Sequence, residues 1–192
     1  MRRGSSVADI GSDHALLPCY LWQSGWTDII ASDINEKPLV NAKKTLERYG
    51  ATGVRLILSD GFSGLPPRDD IIIAGMGGET IAEMLGGCRF KGTDTRFILQ
   101  PMTRHEELRR GLYRLGFEII EEKFAFCSKK TYTVIHARYT GEKCVISDVF
   151  AYTGKQGNQI YIKNTLNKIM KKAKGDPKFN ELAEEIHKLY FR

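Results

Sequence analysis

No apolar run in this 192-residue chain approaches the ~18 residues that a membrane-crossing helix needs. The opening MRRGSSVADIGSDH lacks the apolar centre of a secretory signal, because Asp9 and Asp13 interrupt it. Cysteine is sparse: Cys19, Cys88, Cys127 and Cys144 stand far apart with no C-x-x-C pair. That spacing supports neither a zinc site nor a disulfide framework, and predicts reduced thiols in a cytoplasmic protein. Internal repeats and low-complexity segments are missing too. So are the three glycines of a dinucleotide-binding turn. The stretch VADIGSDHALLP (7–18) reads as a strand, a turn and an apolar segment, yet it holds only Gly11, followed by Ser12, Asp13 and His14. The glycine-rich AGMGGET (74–80) has no Lys-Ser/Thr after it, which excludes a P-loop.

What is present is ordinary globular composition, 42% hydrophobic and 27% charged, with a net charge of +6. The charge is unevenly placed. Residues 143–192 carry ten Lys/Arg against five Asp/Glu, whereas residues 1–142 carry nineteen against eighteen. A basic C-terminal quarter suits a nucleic-acid-facing appendage, and equally a solvated Lys-rich helical surface. From residue 7 to about 116, short apolar strands (7–10, 29–33, 54–58, 71–74, 96–100) alternate with helical stretches (14–24, 36–49, 78–86, 104–115). Thr103 and Glu106 have the spacing of a capping box ahead of the last helix, and Gly116 stands where a C-terminal glycine belongs. This alternation predicts a parallel α/β sheet covered on both faces. Residues 117–140 then read as two antiparallel strands around Ser128-Lys129-Lys130. Beyond about 142, Ile162, Leu166, Ile169, Met170 and Ala173 recur at helical spacing, as do Phe179, Leu182, Ala183, Ile186, Leu189 and Tyr190, with Gly175-Asp176-Pro177 between the two sets. The expectation is a Rossmann-like class I methyltransferase sheet, parallel strands plus an antiparallel hairpin, over residues 1–142. A small α-helical appendage, an antiparallel helix pair, would occupy 143–192.

Ligands in such sheets sit outside the carboxyl ends of the strands. Three successive strand ends carry acids: Asp9 and Asp13 around Gly11, Asp33 in SDIN, and Asp60 in SDG. A carboxylate at Asp33 can accept from both hydroxyls of a ribose, and one at Asp60 from an adenine amino group. S-adenosylmethionine (SAM) has no phosphate but carries an ammonium and a sulfonium, so acidic loops suit it better than they suit NAD. Asp13 has a second reading, as the cap of the following helix, and His14 as a structural hydrogen-bonder. Gly75, Gly77 and Gly78 permit close approach of a substrate. The Pro-Pro-aromatic turn of enzymes that methylate the exocyclic amino group of adenine is absent there, which argues against that nucleophile.

The stretches ADIGSDHALLP, ASDINEKPLVNAKK, SDGF, IAGMGG and ILQPM together resemble, in order, the motifs of bacterial tRNA (adenine-22, N1)-methyltransferases. The resemblance spans about 7–140 and is weaker over the tail. The sequence departs from that pattern at Leu16, where Tyr is common, and in starting almost at the first strand. The resemblance implies SAM as cofactor and tRNA as partner, with no metal and no membrane, in a monomer or weak dimer. It implies cofactor contacts from Asp9, Gly11, Ser12, His14, Asp33, Ile34, Asp60, Gly61 and Gly75, with Met76 and Gly77 lining the slot for the target base. Adenine N1 already has an in-plane lone pair, so no base is needed to create the nucleophile. A carboxylate at the base edge would instead stabilise the cationic ring that forms, and Asp13 is the candidate. Arg104, Lys129, Lys130, Lys163, Lys171 and Lys172, with Lys168 and Lys174, are candidate phosphate contacts. A SAM-dependent enzyme acting on another substrate, and a non-catalytic RNA-binding protein of the same fold, remain open alternatives.

Overall fold

A computed structural model describes all residues except 91, 93, 129, 156 and 192. Seven strands form one sheet in the order β3-β2-β1-β4-β5-β7-β6. The strands β1 (Val7–Ile10), β2 (Ile29–Asp33), β3 (Val54–Leu58), β4 (Asp70–Gly77) and β5 (Arg96–Thr103) are parallel; β6 (Phe117–Cys127) and β7 (Lys130–Tyr139) are antiparallel. Every residue of β1 and β2 is buried, as expected of strands covered on both faces. The period of two sorts their side chains into two cores. Ala8, Ile10, Ile30, Ile71 and Ile73 face one layer, which includes Ile81 and Leu85 of α3 (Gly78–Gly86) and Leu108 and Leu112 of α4 (His105–Arg114). Val7, Ile29, Ala31 and Ile72 face the other, with Cys19 and Leu21 of α1 (Leu16–Gln23) and Ala42 and Leu46 of α2 (Glu36–Arg48).

Two strand ends differ from expectation. The Gly75-Met76-Gly77 segment does not leave the sheet at residue 74. It stays paired with β5 across two register shifts, Met76 opposite Pro101 and Gly77 opposite Thr103. Thr103 is thereby the last residue of β5, so the capping box expected ahead of α4 does not form. The N-cap of α4 is Arg104, in the left-handed region at φ 55°, with no side-chain cap bond. Packing fixes this corner: a Cβ on Gly78 would lie 2.2 Å from the Arg104 carbonyl oxygen. Gly116 follows the helix at φ +85°, as expected.

The tail contains α5 (Asp148–Thr153), α6 (Gln159–Ala173) and α7 (Lys178–Tyr190). The six-residue α5 was not expected; Ser147 caps it by accepting from the Phe150 N–H. Ile162, Leu166 and Ile169 of α6 close on Leu182 and Ile186 of α7, whereas Met170 and Leu189, expected in the same stripes, are exposed. The tail is fastened to the sheet part through the arginine of a buried ion pair. Arg109 of α4 donates from Nε and Nη2 to the two carboxylate oxygens of Glu122 on β6, each at 2.9 Å. Its Nη1 donates to the Ala151 carbonyl at 2.7 Å and to the Tyr161 hydroxyl at 3.2 Å. Arg109 and Glu122 are 0% and 1% exposed. Gly154 covers the pair: a Cβ there would stand 2.3 Å from Glu122 Oε2. Arg109→Met leaves a buried carboxylate without its partner, and should cost about 3–5 kcal/mol in urea unfolding. Arg109→Met combined with Glu122→Leu should regain most of that loss; equal stability of the single variant and wild type would contradict this account.

Candidate functional site

The order β2-β1-β4 places the chain reversal between β1 and β4, and the loops at that edge form the site. The loop after β1 is held on the end of β2. The N–H groups of Gly11 and Ser12 both donate to the Ser32 carbonyl at 2.9 Å, and the Asp13 N–H donates to Asp33 Oδ2 at 3.3 Å. Three successive amides are therefore engaged within the protein. A pyrophosphate-binding turn would direct such amides at its ligand. Gly11 has φ +73°, and a Cβ on it would meet the Met76 side chain at 1.9 Å. The loop thus approaches the end of β4 with no room for a side chain.

Asp13 and Ala15 are both left-handed, at φ 48° and 52°, a conformation that is uncommon outside glycine. Ala15, not Asp13, is the N-cap of α1, and no side chain caps that helix. This removes the reading of Asp13 as a helix cap. Its carboxylate is exposed, 3.5 Å from His14 Nε2. Asp9 lies beneath the loop, 4% exposed, and accepts from the Ser12 hydroxyl at 2.6 Å. Asp33 accepts from the Asn35 N–H at 3.0 Å through Oδ1 and from Asp13 through Oδ2. Each carboxylate oxygen keeps lone-pair capacity for a ribose hydroxyl. The Ser59 N–H donates to the Asp33 carbonyl at 2.8 Å, so the β3 end carrying exposed Asp60 and half-buried Gly61 is tied to the same strand. Ile34 is 59% exposed between the two acids, an apolar surface against which an adenine can lie. Buried acid, paired diol acceptors and absent phosphate cradle fit S-adenosylmethionine.

Across the sheet the chemistry reverses. Gly75, at φ +82°, donates its N–H to Gln100 Oε1 at 3.1 Å, while Gln100 Nε2 donates to the Pro101 carbonyl at 2.9 Å. Gln100 thus braces the turn beside which a target base would enter. Its role was not read from the sequence, although a lone amide in the apolar strand RFILQ was the available signal. Beyond it, a cleft of about 840 Å³ opens between the end of β5, the start of β7 and α6, lined in part by Arg104, His105, Lys130, Lys168, Lys171 and Lys172. Five of the candidate phosphate contacts are brought together there: Arg104, Lys130, Lys168, Lys171 and Lys172. Lys163 is exposed on α6 outside that lining, and Lys129 lies outside the described residues. Among the described residues no group of three His, Cys, Asp or Glu is placed to hold a metal ion, and no helix is long and apolar enough to cross a membrane.

Comparison with known proteins gives the class first. Residues 1–135 match the family model described as a methyltransferase domain. The fold is that of this class. The particular family follows from a closer relative. The chain is 32% identical over 174 residues to the tRNA (adenine(22)-N(1))-methyltransferase of Bacillus subtilis (strain 168), covering 83% of this chain and 73% of the relative. This chain belongs to the tRNA (adenine(22)-N(1))-methyltransferase family. Among solved structures it is similar to Streptococcus pneumoniae Sp1610 in complex with S-adenosyl-L-methionine, with TM-score 0.84 and 26% identity over 98% of this chain and 93% of that one. It is also similar to M. capricolum TrmK in complex with S-adenosyl-homocysteine, with TM-score 0.77 and 27% identity over 98% and 90%.

Burial pushes the Asp9 carboxyl up to about 6, against the lowering effect of its Ser12 hydrogen bond. An acid held above its unfolded value favours folding while protonated. Its contribution is full below about pH 4 and is lost as pH rises through about 6. The stability of wild type relative to Asp9→Asn should therefore fall by up to ~3 kcal/mol between pH 4 and pH 7 in urea unfolding. His105, held down at about 4 by burial and by Arg109 and Lys168, titrates with the opposite sign, but it is common to both proteins and cancels. A pH-independent difference would contradict the assignment.

Proposed function

We propose that this protein transfers the methyl group of SAM to N1 of adenine 22 in tRNA. The observation that carries the reading is the donor-side loop: Gly11, Ser12 and Asp13 spend their amides on β2, which leaves carboxylates rather than N–H groups facing the ligand. Membership in the family named for that reaction supplies the substrate.

In this reading Asp33 holds the ribose of SAM, Asp60 the adenine amino group, and Asp9, Ser12 and His14 lie on the side of the ammonium. SAM supplies an electrophilic methyl carbon, and in-line displacement needs alignment above all else. Gly75, Met76 and Gly77 present the end of β4 to the target base, with Gln100 fixing the Gly75 amide. Asp13 projects from a loop tied to Asp33 and meets the base edge. There it accepts from the 6-amino group and stabilises the positive charge that grows as N1 is alkylated. The target base must leave its stack, at a cost of a few kcal/mol that binding elsewhere offsets. The tail, residues 143–192, supplies that binding as an RNA-gripping appendage. Lys163 and Lys171 of α6, with Lys174 at its C-cap, lie toward one side of that helix. The scattered cysteines, with Cys127 and Cys144 exposed as free thiols, suit the reducing cytoplasm.

Incubation with labelled SAM and unmodified tRNA, followed by nucleoside mapping, should place 1-methyladenosine at position 22; label on another position or none overturns the reading. Asp13→Ala should keep SAM affinity within about twofold while turnover drops on the order of 100-fold or more. Turnover near the wild-type value would remove Asp13 from the chemistry. Replacing Lys163 and Lys174 together by Ala should lower the slope of log affinity for tRNA against log salt by up to about 2, with SAM binding unchanged.

A further inference from the structure

The cleft beside the base slot has more than positive charge. Among the described residues its one carboxylate, Glu106, is 3.7 Å from Lys172. Among the described residues no carboxylate lies within ion-pair distance of Lys130, Lys168 or Lys171. Arg104 at its mouth has, among the described residues, Glu79 as its carboxylate partner, at 3.9 Å. Rings are present as well: Tyr132 and Tyr152 line the walls, and Tyr161 lies in the lining with His105, their ring centroids 6.1 Å apart. His105 is neutral at working pH, since burial and the nearby Arg109 and Lys168 hold it at about 4. It can therefore both donate and accept at a base edge. Asn164, which donates to Thr131 Oγ1 at 3.3 Å across the cleft, and Thr165 and Asn167 add neutral hydrogen-bonding groups. A groove that only gripped phosphates would need the cations and not the rings or the amides. The volume, about 840 Å³, is within the range of small-ligand sites and ample for one nucleotide.

Its position fixes which nucleotide. Gly77 is paired with Thr103, and Thr103 leads directly into Arg104 at the mouth of the cleft. A strand whose target base enters over Gly75–Gly77 carries its neighbouring residue toward this opening. We propose that the cleft takes the nucleotide adjacent to the target adenosine, unstacked from its helix, with its base against the Tyr132 and His105 side and its phosphate on Arg104, Lys130, Lys168 and Lys171. This rests on the reading of the protein as an RNA methyltransferase and adds a second recognition point, so that two splayed residues rather than one define the substrate. Unpaired RNA bases are bound in this way elsewhere, by stacking on aromatic rings with polar groups reading their edges.

Thr165→Trp fills the cleft without changing its charge. Binding to an unmodified tRNA transcript should weaken about tenfold or more, with SAM affinity within twofold and the melting temperature unchanged. Asn180→Trp, exposed on α7, should bind as wild type; if Thr165→Trp does not fold, Asn167→Trp replaces it. A second measurement asks whether a nucleotide is what enters. A transcript with an abasic residue on either side of adenine 22 should bind wild type more weakly at one of the two positions, and that same lesion should cost nothing further in Thr165→Trp. Wild-type affinity in the filled variants, or abasic transcripts that bind wild type as tightly as intact ones, overturns the proposal. Wild-type protein that leaves adenine 22 unmethylated fails the functional reading instead, while the binding ratios still decide the cleft.

Discussion

Arg109, paired with Glu122 inside the sheet part of the molecule, ties the tail to it through the Ala151 carbonyl and the Tyr161 hydroxyl. Each charge alone would be costly to bury; together, with the Ala151 carbonyl and the Tyr161 hydroxyl completing the guanidinium's partners, they form a saturated node where α4, β6, α5 and α6 meet. Everything that faces RNA in the proposed function depends on it. The cleft exists because α6 is kept at a fixed distance from the ends of β5 and β7. Three further links reinforce the same seam: Lys155 to the Ile119 carbonyl at 2.7 Å, Arg110 to Asp148 at 2.8 Å, and the tilted rings of Phe124 and Tyr161 with centroids 4.6 Å apart. The surface ion pair between Arg110 and Asp148 contributes little energy by itself. The buried node contributes specificity of placement.

The carboxyl edge of the sheet is electrically divided. Acids occupy the ends of β1, β2 and β3, and cations gather past β5, with the neutral glycine segment of β4 between them. A cationic donor and a polyanionic substrate thus approach from opposite sides toward one strand end. Neither has to cross a field that repels it.

Much of this was readable from the chain. The buried parallel strands announce themselves as short apolar runs, and acids directly after three of them could be placed on one edge without coordinates. Strand ends were less legible. Pairing across a bulge keeps Met76 and Gly77 in the sheet and makes Thr103 a strand residue, so a local capping signal lost to a long-range pairing. The six residues of α5 are too few for periodicity to reveal. Arg109 and Glu122, thirteen positions apart in charged surroundings, look like ordinary surface residues until the tail closes over them. Tyr161 opens an apolar stripe and reads as core, which it is; that its hydroxyl completes the arginine node is a tertiary fact.

The loop after β1 carries one further implication. Its amides and Asp13 hang from Ser32 and Asp33, the residues at the end of β2. The strand tip that would hold the ribose is also the bracket from which the base-facing carboxylate is suspended. In the proposed function, seating of the donor and aim of Asp13 therefore share one mechanical part. On that reading, a change at Asp33 that frees the Asp13 amide would disturb the base side of the reaction as well as the donor side.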